Sequence, residues 1–205
     1  WRAEQFLRHL ATVLGREQVG TLGQLLTEMG EPHLALRMAK AVAGQDGMLA
    51  MDGAYHGITA ESYAVSPATE WDAPDRGNLR HVSQIRPDIA LLQNPDTFRG
   101  PYGIDANDVA ALYAADADRA ISTLQAAGHP PGVFVVDTAF SSSGILDVPD
   151  GYLPAVAQKV RAAGGMVISD EVQYGFGRSG RHFWGFEKYG LTPDFVTLGK
   201  PMGNG

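Results

Sequence analysis

Apolar positions along the chain fall into two patterns, helical spacing and short unbroken runs. Phe6, Leu7, Leu10, Val13 and Leu14, then Val19, Leu22, Leu25 and Leu26, recur at helical spacing and predict one or two amphipathic helices over residues 1–26. Pro32 stands at a helix start, where its missing N–H costs nothing, and residues 34–43 continue helically until Gly44 stops them. Residues 48–51 form a short apolar run of the second kind and predict a buried strand. Residues 66–78 are rich in Ser, Pro, Asp and Gly and predict a loop. Residues 89–92 are a brief strand, closed by a turn at Asn94, Pro95 and Asp96. Val109, Leu112, Tyr113, Ile121 and Leu124 give residues 105–127 the stripe of one long helix, ended by Gly128. Residues 132–136, 166–169 and 195–198 are further strands, and residues 151–163 a helix.

Helices alternating with short, wholly apolar strands predict an α/β fold, with a mostly parallel sheet sandwiched by helices. Ligands of such sheets sit outside the carboxyl ends of the strands. That rule singles out residues 52–56, 137–143 and 170–173, and Lys200 after the last strand.

Composition narrows the function. The 205 residues are 44% hydrophobic, enough to bury a core. A net charge of −7 argues against nucleic acid as the main partner, because phosphate binding calls for a basic face. No apolar run approaches the roughly 20 residues that cross a bilayer, and residues 1–10 mix charges into every turn, so no membrane anchor or signal peptide is expected. The absence of cysteine excludes a disulfide scaffold and a thiolate metal site, and it is compatible with a cytoplasmic location. The six histidines show no metal-binding spacing, so no metal is expected.

Asp170 closes one strand and Lys200 follows another, so both emerge at the same sheet edge. A lysine whose surroundings favour the neutral amine can form an imine with an aldehyde cofactor, and a nearby carboxylate can serve the cofactor's ring nitrogen. The same two residues also fit a turn-capping aspartate and a solvated lysine in a Gly-rich loop. Gly175, Gly177 and Gly180 match G-x-G-x-x-G, but no amphipathic helix opens after them, as a dinucleotide site requires; they read as a turn. Ser141, Ser142 and Ser143 lack the surroundings of a nucleophile elbow and read as a polar turn. Arg99 suits either a phosphate or carboxylate ligand or a structural hydrogen bond in its loop.

Residues 164–205 resemble the cofactor region of the class III aminotransferases. The likeness runs through Asp170-Glu171-Val172-Gln173, a glycine-rich turn, and Pro193-Asp194-Phe195-Val196-Thr197 leading to Gly199-Lys200. It implies a pyridoxal-phosphate enzyme of fold type I, with Lys200 as the imine lysine and Asp170 as the partner of the pyridine nitrogen. Val172 would pack on one ring face, Gln173 would neighbour the ring hydroxyl, and Tyr55 of Asp52-Gly53-Ala54-Tyr55-His56-Gly57 would stack on the other face, with His56 beside it. The expected division is an N-terminal helical segment over residues 1–31 and a cofactor-binding large domain over residues 32–205.

Residues 95–101, 141–144, 182–184 and 199–205 resemble a narrower branch that holds alanine–glyoxylate aminotransferase 2 and the ethanolamine-phosphate phospho-lyases. The resemblance implies amino transfer between an amine or amino acid and a keto acid, or elimination of phosphate from a phosphorylated amino alcohol, by a homodimer. The third expectation is a non-catalytic truncated relative, since the sequence stops soon after Lys200 and reads as a fragment of a large domain incomplete at its C-terminal side. Two positions depart from the family pattern. Residues 28–32 replace a hydroxyl-bearing phosphate segment with two glutamates and a proline, which would hold a phosphate poorly, and Asp137 stands in place of a glutamate.

Overall fold

The computed structural model describes residues 26–27, 33–70 and 85–200. The described strands are β1 (Leu26–Thr27), β2 (Gly47–Met51), β3 (Ile89–Leu92), β4 (Pro131–Asp137), β5 (Met166–Asp170) and β6 (Phe195–Thr197). They form one parallel sheet in the order β1-β6-β5-β4-β2-β3. The helices are α1 (His33–Ala43), α2 (Ala60–Ala64), α3 (Val109–Ala114), α4 (Asp116–Ala126), α5 (Tyr152–Ala162) and α6 (Gly185–Lys188), with a 3-10 turn at Pro67–Glu70.

The strands read as unbroken apolar runs because both sheet faces are covered. Alternate residues of β4 enter different cores. Phe134 and Val136 join Leu49, Met51 and Val167 beneath α3, α4 and α5, which contribute Tyr113, Ala117, Leu124, Leu153 and Val160. Val133 and Val135 join Met48, Ala50 and Ile168 beneath α1 and α2, which contribute Leu36, Ala39 and Ala64. One sheet sandwiched by helices is therefore the observed architecture, as expected for the fold class.

Several elements differ from the sequence pattern. Leu26 lies on β1 beside Val196 and not on a helix; the rest of the expected N-terminal helices, residues 1–25, falls outside the described residues, as does the segment 28–32. The single helix expected over residues 105–127 is two helices that meet at Ala115. Its first turn is missing because Asp108 takes a left-handed backbone conformation (φ 53°). Within the expected loop 66–78, Pro67–Glu70 makes a 3-10 turn. The short helices α2 and α6 have no apolar stripe long enough to mark them in the sequence.

The register between β2 and β4 skips Gly132, since Gly47 pairs with Pro131 and Met48 with Val133. This bulge brings Gly132 against the chain entering β2, where a Cβ would lie 2.2 Å from the Gln45 carbonyl oxygen. Gly132→Ala therefore destabilises the fold by about 1–3 kcal/mol, the usual cost of overpacking, measured by urea unfolding. An unchanged midpoint would show that β4 can shift without cost.

Candidate active site

A parallel sheet brings the last residues of its strands to one edge, and here they align in a row. Asp137 of β4 pairs with Asp170 of β5, and Asp170 with Thr197 of β6. All three are buried. The strand order reverses between β2 and β4, because the chain runs outward from β2 to β3 and returns to β4, β5 and β6. The crevice outside such a switch point is where open α/β sheets take ligands. Residues 52–57, which leave β2, enter it.

Asp170 is held on both oxygens. His56 Nδ1–H donates to Oδ2 at 2.8 Å, while Thr197 Oγ1 and the Val172 amide donate to Oδ1 at 3.0 Å and 3.2 Å. The His56 ring is fully buried, and its Nε2 has no partner among the described residues. Its backbone is fixed as well, since the His56 amide donates to Ser66 Oγ at 2.7 Å, and that hydroxyl lies 2.6 Å from the Ser62 carbonyl. Tyr55, next in the turn, keeps 39% of its surface exposed on the same edge.

Two further carboxylates are buried beside Asp170. Asp137 accepts from the Ala139 amide at 2.9 Å, the Ser141 amide at 2.8 Å and the Ser141 hydroxyl. Burial pushes its pKa above the ordinary carboxylate range and the charge of Asp170 adds to the push, against the pull of the Ser141 and Ala139 donors. Its Oδ2 thus serves the polar turn expected over Ser141 to Ser143. Glu171 accepts from Ser169 Oγ, Thr138 Oγ1 and the Phe186 amide on Oε1, and from the Gly185 amide on Oε2. Burial raises its pKa too, with the Gly185 amide the strongest opposing donor.

The rim is braced by polar side chains. Asn94 Nδ2 donates to the Asp52 carbonyl and Ser143 Oγ to Asn94 Oδ1, joining the loops after β2, β3 and β4. Tyr113, buried on α3, donates its hydroxyl to the Asp96 carbonyl at 2.7 Å and anchors the loop carrying Arg99. The Arg99 side chain is 75% exposed, with Asp96 Oδ2 at 3.5 Å.

The structure thus brings Asp170, His56 and the Val172 backbone into direct contact and sets Tyr55 on the same edge. Gln173 is half-buried in the turn after Val172, and Lys200 is exposed just beyond Thr197 and Leu198. Neither side chain makes a hydrogen bond to a described residue. Gly175, Gly177 and Gly180 lie in a run of turns, as read from the sequence, with Gly177 and Gly180 at positive φ. Sequence reasoning missed Thr197, Ser66 and Glu171. A hydroxyl closing the apolar run of β6 was a visible signal for Thr197, and an acid following Asp170 for Glu171; nothing local marks Ser66.

The family model for class III aminotransferases matches residues 10–205, and the chain belongs to that pyridoxal-phosphate-dependent family. More particularly, it is 36% identical over 177 residues to an alanine–glyoxylate aminotransferase 2-like protein of Drosophila melanogaster, covering 84% of this chain and 34% of that protein. It is 35% identical to ethanolamine-phosphate phospho-lyase homolog 1 of Caenorhabditis elegans, covering 84% of this chain and 38% of that one. A phospholyase from Arthrobacter, solved in complex with phosphoethanolamine, superposes with a TM-score of 0.72 at 42% identity over 84% of this chain and 38% of its own. The chain spans roughly a third of the length of the curated relatives it matches. No helix among the described residues is long and apolar enough to cross a membrane.

Because the folded pKa of Asp137 is raised, its contribution to stability is complete below about pH 4, the ordinary carboxylate value, and is lost as pH rises through the folded value. The stability of the wild type relative to Asp137→Asn therefore falls as pH rises above about 4, measured by thermal unfolding of both proteins across the range. A difference independent of pH would contradict the raised value.

Proposed function

We propose that residues 32–205 of this chain form part of the cofactor-binding large domain of a pyridoxal-phosphate enzyme that exchanges an amino group between an amine or amino acid and a keto acid. The observation that carries the proposal is Asp170. It is a buried carboxylate at the switch-point edge of the sheet, held by His56, Thr197 and Val172, with Lys200 just beyond the neighbouring strand.

These residues suit the cofactor. Among the described donors, only His56 uses Asp170 Oδ2, so that oxygen retains capacity for a protonated ring nitrogen. When bound, pyridoxal phosphate supplies a ring that withdraws electrons from the substrate carbon bearing the amine. Asp170 would keep the ring nitrogen protonated, and burial strengthens that interaction because little water screens it. His56 fixes the carboxylate's orientation, Tyr55 and Val172 would pack on the two ring faces, and Gln173 would neighbour the ring hydroxyl. Lys200 would hold the cofactor covalently and, once displaced by the substrate amine, move the proton at the substrate's α-carbon. The reading extends to a homodimer with small-molecule amine and keto-acid substrates, acting in the cytoplasm.

A second reading, elimination of phosphate from a phosphorylated amino alcohol, is favoured by the 42% identity to the Arthrobacter phospholyase bound to phosphoethanolamine. Both reactions need the same ring, carboxylate and lysine.

Purified protein mixed with pyridoxal phosphate should develop the visible absorbance of a lysine-held cofactor, which borohydride fixes in place. Lys200→Ala should abolish that band, and Asp170→Asn should weaken cofactor affinity by at least about tenfold, the scale for a lost charge-assisted hydrogen bond. A band that survives Lys200→Ala would sink the assignment of the lysine. With the cofactor in place, keto-acid-dependent amino transfer supports the first reading; phosphate released from phosphoethanolamine without a keto acid supports the second.

A further inference from the structure

Glu171 takes no part in the chemistry assigned to its neighbour Asp170, yet it is fully buried and its carboxylate receives donors from three parts of the chain. Ser169 Oγ on β5 lies at 2.8 Å, Thr138 Oγ1 after β4 at 3.0 Å, and the first two amides of α6, Gly185 and Phe186, at 2.7 Å and 3.0 Å. Its backbone is engaged too: the Glu171 amide donates to the Thr197 carbonyl, and the Gly175 amide donates to the Glu171 carbonyl. Both ends of the segment 172–184 are therefore fastened to one residue. That segment holds neither strand nor helix; its own bonds are few, chiefly the Gly177 amide to the Phe183 carbonyl and the Gly180 amide to the Gly177 carbonyl, with the Phe183 and Trp184 amides donating to Glu187 Oε2.

The junction is packed as closely as it is bonded. A Cβ on Gly185 would lie 2.1 Å from Thr138 Oγ1, 2.5 Å from the Tyr174 ring and 3.0 Å from Glu171 Oε2. Inside the segment, Phe176, Phe183 and Trp184 pack edge to face, with centroids 4.7–5.7 Å apart. Without Glu171, two fixed amides and two hydroxyls would lose their acceptor at a buried junction, an arrangement proteins avoid.

We infer that Glu171 is a positioning residue: its carboxylate latches the segment 172–184 closed against the sheet and so sets Val172 and Gln173 at the edge occupied by Asp170. The role of Val172 and Gln173 toward pyridoxal phosphate rests on the function proposed above; the latch itself does not.

The segment carries its own reporter, since Arg178 and Arg181 are exposed within it. Limited trypsin digestion of the full chain under native conditions therefore reads the latch, with cleavage after the exposed Arg161 on α5 as the reference. Glu171→Gln should speed cleavage after Arg178 and Arg181 by about tenfold relative to that reference, the factor expected for loss of an ordinary net hydrogen bond. It should also weaken pyridoxal phosphate binding, followed by the absorbance of the bound cofactor. Thr138→Val, which removes one donor and keeps the carboxylate, should give a smaller shift in the same direction, and it serves as the test if Glu171→Gln does not fold. Unchanged cleavage, or cleavage that rises equally at Arg161, would overturn the latch. Faster loop cleavage with unaltered cofactor affinity would overturn the positioning role. A wild-type protein that takes up no cofactor defeats the proposed function, and the latch is then judged on cleavage alone.

Discussion

The parallel register of β4, β5 and β6 sets Asp137, Asp170 and Thr197 at one level, the last residue of each strand beside the next. Everything proposed for the site depends on that alignment. It places the Thr197 hydroxyl within reach of Asp170 and lets the chain leave β6 toward Lys200 on the same edge. A shift of one residue in β5 would turn Asp170 to the opposite face, because side chains alternate along a strand. The register is held from below by the two cores, since Val167 and Ile168 are packed on opposite faces of the sheet. Packing remote from the chemistry therefore fixes where the chemistry can occur.

The same edge holds three buried carboxylates, a costly arrangement unless each finds donors. Each finds a different kind. Asp137 folds back on its own following turn through Ala139 and Ser141. Glu171 gathers hydroxyls and amides from two neighbouring strand ends and from α6. Asp170 is bonded to an imidazole from the far side of the switch point, and of the three it alone is joined to another ionisable side chain by a direct hydrogen bond. That contact distinguishes Asp170 from its neighbours, whose partners are amides and hydroxyls alone.

Much of this was legible in the sequence for a simple reason. Strands covered on both faces appear as unbroken apolar runs, and the residues that end such runs lie at the ligand-binding edge, which is how Asp137, Asp170 and the segment 52–56 stand out. What stayed hidden depends on contacts between distant residues. His56 meets Asp170 across 114 positions, and Ser66 supports the His56 backbone across ten. The break at Ala115 was hidden because alanine suits a helix. At that junction the Asp116 carboxylate accepts the Gln93 amide beyond β3, a tertiary contact that no helical stripe records. Glu171 was overlooked because it looks like the less informative half of an acidic pair, and its importance comes entirely from what surrounds it.

The relatives constrain where reaction choice can reside. A protein named for amino transfer and one named for phosphate elimination match this chain at 36% and 35% identity, each over 84% of its length. A segment shared so evenly between the two is expected to carry what both reactions need, namely a charged ring, a carboxylate to keep it charged and a lysine to move a proton. On the function proposed above, Asp170 and Lys200 would belong to that common part. The difference between the reactions lies in what is asked of the substrate after its α-proton is gone, and that depends on groups facing the substrate's far end. Arg99, carried on a loop that Tyr113 anchors, has a largely exposed guanidinium of the kind that binds a phosphate or a carboxylate. On the proposed reading, the sheet edge would serve both chemistries, and an exposed rim group such as Arg99 is where their substrates could be told apart.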